Sequence, residues 1–179
     1  QDAVRRADVL PEERVFRLDG ILTEKECGHL LDLTRALPGG YKNVEWEYSK
    51  AYRDCHRIVA KSTALANTLW GRILPHFLSK DVMNMAPFGF DNEGEWRPYQ
   101  VNEVFRFSVY AGKGHFKPHR DGCFARSLDE RSVFTVLFYL NTPANCAGRE
   151  ASTVFYRKGS ESDEVQVYPK VGRAVIFPH

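Results

Sequence analysis

The spacing of apolar residues along the chain changes near residue 95. Before that point apolar residues recur every three or four positions, which is the period of a helix with one buried face, and the sequence predicts helices at residues 23–37 and 62–78. After it apolar and polar residues alternate, and β-branched and aromatic residues accumulate, as is typical of strands. Strands are predicted at residues 15–18, 104–110, 133–140, 153–156, 165–168 and 173–177.

Local signals mark the ends of the two predicted helices. Thr23 is a suitable N-cap for the first helix, and Glu26 follows it at the spacing of a capping box. Pro38 opens a Pro-Gly-Gly sequence that ends this helix. Pro75 has no amide hydrogen to donate, so it is expected to kink or end the second helix.

Helices followed by several short strands predict an α+β fold. In such a fold the helices pack on one face of an antiparallel sandwich or barrel. The chain has 179 residues, which is typical of a single domain. We expect residues 1–95 to form a mostly helical support region and residues 96–179 to form the barrel core.

Composition and charge narrow the possible classes of function. Hydrophobic residues make up 43% of the chain, which is enough for one sizeable core, so a disordered protein is excluded. The formal net charge of +2 predicts no general affinity for nucleic acid or for an anionic membrane. No apolar run is long enough to span a bilayer. We expect a monomer.

The cysteines are Cys27, Cys55, Cys123 and Cys146, and none of them are spaced as C-x-x-C. A small secreted domain held together by disulfides would be denser in cysteine. The pattern therefore predicts free thiols in a reducing compartment and a cytoplasmic protein.

A candidate metal-binding pair follows the glycine-containing turn at residues 111–114, where His119 and Asp121 form a His-x-Asp sequence. If this segment is a strand, residues i and i+2 project to the same side, so both side chains aim at one point. One carboxylate and two imidazoles form the facial triad that binds iron(II) and leaves positions open for a chelating cosubstrate and dioxygen. Alone, the pair is weak evidence, because such pairs are frequent on protein surfaces.

The predicted strands on either side of this pair each have an apolar face and a face with hydroxyl groups. Ser108 and Tyr110 share such a face on one strand, and Thr135 and Tyr139 share one on the other. These faces are either exposed to solvent, as is usual in antiparallel sheets, or they line a barrel whose outside is covered by the helices. The pattern leaves both arrangements open.

Four segments resemble the prolyl 4-hydroxylase-like branch of the 2-oxoglutarate and iron(II)-dependent dioxygenases. FRFSVYAGKGHFKPHRDG resembles the strand, turn and His-x-Asp of that family, and ERSVFTVLFYLN resembles its next core strand. VYPKVGRAVIF resembles a later strand, and VFRLDGILTEKECGHLLDL resembles the opening strand and helix. Together these segments span nearly the whole chain.

The resemblance implies a double-stranded β-helix, or jelly roll, with the N-terminal helices packed on one sheet. It implies that His119 and Asp121 bind iron(II), and that 2-oxoglutarate, dioxygen and ascorbate as reductant complete the reaction. Residues at matching positions are expected to contact or surround 2-oxoglutarate, namely Tyr110, Thr135, Tyr139 and Thr153. The implied activity is hydroxylation of a substrate, with a prolyl residue of a protein as the substrate that the branch favours.

The chain also departs from the family pattern. Gly148-Arg-Glu-Ala151 stands where the family has a Gly-Gly pair. The third iron ligand of the family is expected just beyond His179, and its basic 2-oxoglutarate-binding residue farther on, so the C-terminal part of the barrel is expected to lie outside this sequence. Otherwise His179 is itself the third ligand. Two other functions stay open: an inactive jelly-roll relative that acts as a binding module, and a cupin-like metal enzyme that does not use 2-oxoglutarate.

Overall fold

The computed structural model of the chain describes residues 3–144, 151–160 and 162–179. The helices are α1 (Glu24–Ala36), α2 (Thr63–Ile73) and α3 (Ser79–Val82). The strands are β1 (Arg5–Leu10), β2 (Val15–Asp19), β3 (Lys42–Asn43), β4 (Arg53–Asp54), β5 (His56–Lys61), β6 (Val104–Val109), β7 (His115–Phe116), β8 (Phe134–Tyr139), β9 (Thr153–Tyr156), β10 (Glu164–Val167) and β11 (Arg173–Pro178). Every strand pairing among these residues is antiparallel, so the predicted α+β class is confirmed.

Helix α1 begins with the predicted capping box. The Thr23 hydroxyl accepts a hydrogen bond from the Glu26 amide at 3.2 Å, and the Glu26 carboxylate accepts one from the Thr23 amide at 2.8 Å. The same carboxylate binds Arg72 of α2 at 2.6 Å, so it also joins the two helices. These contacts, with that of Arg72 the largest, lower the pKa of Glu26 to about 2.

Helix α2 begins where predicted and ends earlier. The Ser62 hydroxyl caps it by accepting from the Leu65 amide at 3.2 Å. The helix stops at Ile73 instead of residue 78, and Leu74–His76 form a short 3-10 turn that contains Pro75. Proline cannot donate to the preceding turn, and this accounts for the shorter helix.

The largest sheet has the order β1-β2-β11-β8, and both of its faces are buried. On one face Phe16 and Ile176 pack with Cys27 of α1 and Leu69 of α2. On the other face Val175 packs with residues of β9 and β10. Helices therefore cover one side of this sheet, and the β9–β10 hairpin covers the other.

The remaining strands form a three-stranded sheet of order β3-β5-β6 and the pairs β4-β7 and β9-β10. The expectation that residues 1–95 would be mostly helical missed β1 and β5. Strand β1 belongs to the four-stranded sheet and β5 to the three-stranded sheet. In β5 the sequence HRIVAK breaks its alternation with charged residues at both ends, so the periodicity was too weak to indicate a strand.

Gly172 holds the turn before β11 against the start of α1. Its φ of 75° lies in the left-handed region, and a Cβ at this position would collide with the Leu22 carbonyl oxygen. Its own carbonyl accepts from the Ile21 amide at 3.0 Å, and its amide donates to the Tyr139 carbonyl at 3.0 Å. Only glycine fits this close approach of three chain segments.

Within the described residues, Cys27, Cys55 and Cys123 are free thiols, as predicted, and Cys146 lies outside them. Among these residues no helix has both the length and the apolar character needed to cross a membrane.

Candidate metal centre

The predicted metal-binding pair lies just after β7, in a segment that is not part of a sheet. Strand β7 pairs with β4 through Arg53 and Phe116 and ends at Phe116, so the prediction that His119 and Asp121 lie on a strand is wrong. The Lys117 amide still donates to the Tyr52 carbonyl at 2.9 Å, which anchors the start of the segment.

His119 and Asp121 nevertheless meet at one point. His119 Nε2 lies 3.3 Å from Asp121 Oδ1, and both side chains are partly exposed at the surface. Two ligand atoms about 2.1 Å from one ion and at right angles to each other lie roughly 3 Å apart. The separation of these two donor atoms therefore suits adjacent coordination positions of a metal ion.

Each member of the pair has a separate partner that fixes its orientation. His119 Nδ1 lies 2.7 Å from the Lys117 carbonyl oxygen, which can only accept, so Nδ1 carries a proton and Nε2 is the nitrogen turned toward Asp121. The Thr135 hydroxyl donates to Asp121 Oδ2 at 2.6 Å and leaves Oδ1 turned toward His119. Such outer partners orient metal ligands in known sites.

His119 and Asp121 also shift each other's pKa. The hydrogen bond to Asp121 raises the pKa of His119, and the hydrogen bond from His119 holds the pKa of Asp121 below its usual value. The Phe116 ring stacks on the imidazole with centroids 3.5 Å apart, which restricts rotation of the His119 side chain.

His179 lies near this pair without joining it. Its amide donates to the Val133 carbonyl at 3.1 Å, and its imidazole is close enough to Asp121 to help lower the pKa of that carboxyl. The buried His179 Nδ1 has no hydrogen-bond partner in the part of the chain that the structure describes. Among the described residues no group of three His, Cys, Asp or Glu side chains could share one ion, so the structure brings together two ligands.

The predicted 2-oxoglutarate residues separate into three places. Thr135 belongs with Asp121, as described above. Tyr139, on the same face of β8, donates to Thr153 Oγ1 at 2.6 Å, and burial raises the pKa of Tyr139. The hydroxyl-bearing face of β8 therefore points toward β9, whereas Phe134 and Val136 on its apolar face pack toward the helices.

Tyr110 follows the last residue of β6, and 45% of its surface is exposed. Burial nevertheless raises the pKa of Tyr110, and Arg53 and Cys55 are the charged and polar groups near its hydroxyl. The structure thus joins Tyr110 to a residue that the sequence did not single out.

Arg53 is that residue, and it lies on β4 with 8% of its surface exposed. Its Nη2 donates to Ser108 Oγ at 3.2 Å, and its guanidinium lies over the Phe116 ring at 4.2 Å. Sequence reasoning missed it because residues 42–61 gave no strand signal, and a single arginine there has no pattern. The residues next to Arg53 in the sequence offered no better signal.

A recess lined with exposed apolar side chains adjoins the segment that carries the pair. Phe88 and Phe90, from the loop of residues 83–100, are 89% and 93% exposed. They line a cavity of about 590 Å³ together with Leu128 and Cys123, the latter two residues after Asp121. The loop therefore leaves these aromatic rings available to a ligand.

A comparison with protein families bears on the C-terminal part of the chain, which contains His119 and Asp121. A model of the 2OG-Fe(II) oxygenase superfamily matches residues 105–179, the region that includes the pair, Thr135, Tyr139 and Thr153. No significant match was found among curated proteins or among solved structures. The family match supports an oxygenase that uses iron(II), 2-oxoglutarate and dioxygen, and the α+β architecture is compatible with the fold of that superfamily.

Proposed function

We propose that the protein is a non-haem iron(II) dioxygenase that couples oxidative decarboxylation of 2-oxoglutarate to hydroxylation of a substrate. The observation that carries this proposal is the paired geometry of His119 and Asp121. Their donor atoms lie 3.3 Å apart, and each side chain is oriented by a separate hydrogen bond. The family match over the same segment supports the reading.

In this proposal His119 Nε2 and Asp121 Oδ1 would hold the iron(II). When bound, the iron and 2-oxoglutarate supply the activation of dioxygen and the hydroxylating chemistry. The chain contributes orientation: the Lys117 carbonyl keeps a proton on Nδ1, so Nε2, which faces Asp121, is the nitrogen that would give up its proton to bind iron(II). Thr135 keeps Asp121 from rotating. No acid or base side chain is required.

The hydroxyl groups of Tyr139, Thr153 and Tyr110 are proposed to bind 2-oxoglutarate. Tyr139 and Thr153 are already paired at 2.6 Å on the face of β8 that also bears Thr135. Hydroxyl donors on that face are suited to a carboxylate, because hydrogen bonds to charged acceptors are stronger than those to neutral ones. Thr135 is proposed to act on Asp121 instead of contacting the cosubstrate.

We further propose that the strands form one jelly roll and that the chain is a single domain. This is supported by the burial of β11 on both faces, between the helices and the β9–β10 hairpin. It is also supported by the hydroxyl-bearing face of β8, which is turned toward β9 and away from the helices.

A prolyl residue of a polypeptide is the proposed substrate, as in the prolyl 4-hydroxylase-like branch. The recess formed by Phe88, Phe90 and Leu128 supports a polypeptide, because exposed aromatic and aliphatic side chains beside a reactive centre suit an extended chain. Proline-rich segments in particular dock on aromatic surfaces.

A second candidate is an inactive relative that binds ligands without turnover. Within the described residues the structure brings together two metal ligands, His119 and Asp121. An inactive relative would bind metal or 2-oxoglutarate without consuming it.

The decisive experiment measures iron(II) binding anaerobically by calorimetry, and succinate formed from 2-oxoglutarate under air with iron(II) and ascorbate. His119→Ala should lose both. His115→Ala is the matched control, because His115 is an exposed histidine on β7 that binds only backbone carbonyls. Iron binding without any succinate would favour the binding module. Parent-like iron affinity in His119→Ala would refute the metal centre.

A further inference from the structure

Arg53 is a buried cation that has no carboxylate partner among the described residues. Its Nε donates to Cys55 Sγ at 3.2 Å and its Nη2 donates to Ser108 Oγ at 3.2 Å. The Tyr110 hydroxyl is its other polar neighbour. Thiol and hydroxyl groups are neutral in their ordinary state, so the positive charge of Arg53 stays uncompensated.

Three other buried or partly buried arginines among the described residues have a carboxylate partner. Arg173, which is equally buried, binds Asp19 at 2.5 Å, and Arg6 binds Asp81 at 2.6 Å. Arg57, on β5, binds Glu47 at 2.6 Å. Burying a charge without a counter-charge is costly. The burial of Arg53 without a carboxylate partner therefore needs an explanation that the paired arginines do not need.

Aromatic rings supply part of the compensation. The guanidinium lies 4.2 Å from the centroid of Phe116 and 5.3 Å from that of Tyr48, which are cation–π distances. Phe116 also stacks on His119, and two groups so close to one ring cannot occupy the same face. The Phe116 ring therefore lies between Arg53 and His119, and Arg53 is a neighbour of the metal centre.

We propose that Arg53 is the anion-binding residue of this cleft and that it pairs with a carboxylate of a ligand that enters beside His119 and Asp121. A guanidinium matches a carboxylate with two parallel hydrogen bonds. Tyr110, a polar neighbour of Arg53, is 45% exposed, so Arg53 lies close to solvent on this side. The position differs from that of the basic residue that the family resemblance implies, which would follow residue 179.

The carboxylate has two possible sources, the cosubstrate or an acidic substrate, and only the first rests on the proposed function. The probes are 2-oxoglutarate and N-acetylaspartate amide, the latter standing for an acidic side chain. Each is titrated by calorimetry at low ionic strength into metal-free and Mn(II)-loaded protein. The variants are Arg53→Met, Arg53→Lys and, as a control with the same change of charge, Arg72→Met, which removes contacts with Glu26 of α1 and with the Ile21 carbonyl.

Arg53→Met should weaken binding of one probe at least tenfold, Arg53→Lys should weaken it less, and Arg72→Met should not change it. If only the binding of 2-oxoglutarate is weakened, the carboxylate belongs to the cosubstrate. If only the binding of N-acetylaspartate amide is weakened, it belongs to the substrate. Both outcomes support an anion site. The proposal is overturned if Arg53→Met binds both probes as the parent does.

Two further measurements allow the test to be made even if Arg53→Met does not fold or no metal is bound. If Arg53→Met does not fold, the side-chain ¹⁵Nε resonance of Arg53 is followed in the parent, assigned by its absence from Arg53→Lys. That resonance should shift on saturation with a probe, and an unchanged resonance would overturn the proposal. Binding of the probes to metal-free protein decides the role of Arg53. Failure of the parent protein to bind Mn(II) would count only against the proposed metal centre.

Discussion

Replacing Thr135 with valine removes one hydroxyl group and leaves the volume of the side chain almost unchanged. That hydroxyl donates to Asp121 Oδ2 at 2.6 Å, so the variant frees the carboxylate to rotate away from His119. A hydrogen bond to a charged group contributes about 1.5–3 kcal/mol, which corresponds to a loss of roughly 10- to 150-fold in affinity. Removal of an outer partner of a metal ligand typically costs about 10- to 100-fold. We therefore expect iron(II) affinity to fall by one to two orders of magnitude.

The assay is anaerobic calorimetry with iron(II) on the parent, Thr135→Val and Thr135→Ser, with circular dichroism as the check on folding. Thr135→Ser keeps the donor and should bind iron(II) nearly as the parent does. In metal-saturated Thr135→Val, the affinity for 2-oxoglutarate should be unchanged, because the hydroxyl is engaged with Asp121 and not with the cosubstrate. If Thr135→Val leaves the iron(II) affinity unchanged and instead weakens the binding of 2-oxoglutarate, then Thr135 lines the cosubstrate pocket and does not act by orienting Asp121.

Three other perturbations test the fold and the site. Tyr110→Phe should raise the apparent KM for 2-oxoglutarate roughly tenfold or more, since it removes one hydrogen bond to a charged group; an unchanged KM in steady-state succinate assays contradicts the role. Gly172→Ala should lower the free energy of unfolding in urea by at least about 2 kcal/mol, because of its left-handed φ and its approach to another backbone. Gly71→Ala, in open space within α2, should not lower it. The Glu26 carboxyl has a pKa of about 2, below its usual value, so its contribution is present above pH 4.5 and is lost as pH falls toward 2. Solvent screening limits that contribution to about 1 kcal/mol, and Glu26→Gln should flatten the pH profile of unfolding in this window; an unaltered profile excludes the role.

The features that the sequence predicted are those encoded by neighbouring residues. The start of α1 depends on Thr23 and Glu26, which are three positions apart, and the structure has the predicted capping box. Strand β9 was predicted with its observed bounds, Thr153–Tyr156, because four successive β-branched and aromatic residues stand there. These signals are local, so they can be read without knowledge of the tertiary structure.

The features that the sequence missed depend on contacts between distant segments. Arg53 becomes notable only because it is buried against Ser108, which lies 55 positions away. Thr135 and Tyr139 share a strand face, but one contacts Asp121 and the other contacts Thr153, and strand alternation could not separate these roles. The meeting of His119 and Asp121 was predicted for a partly wrong reason, because the two side chains come together although their segment is not a strand.

The pairing of β2 with β11 has a consequence for how the chain folds during synthesis. Asp19 and Arg173, which join these strands, are 154 positions apart in the sequence. Contacts between such distant segments slow folding, because the entropy of closing the intervening loop is lost before the contact forms. At a synthesis rate of about 5–20 residues per second, β2 waits on the order of ten seconds for β11 to emerge. During that interval the edge of β2 that later pairs with β11 is open to other chains, and the early helix α1, with its own capping box, can cover only one face of the strand.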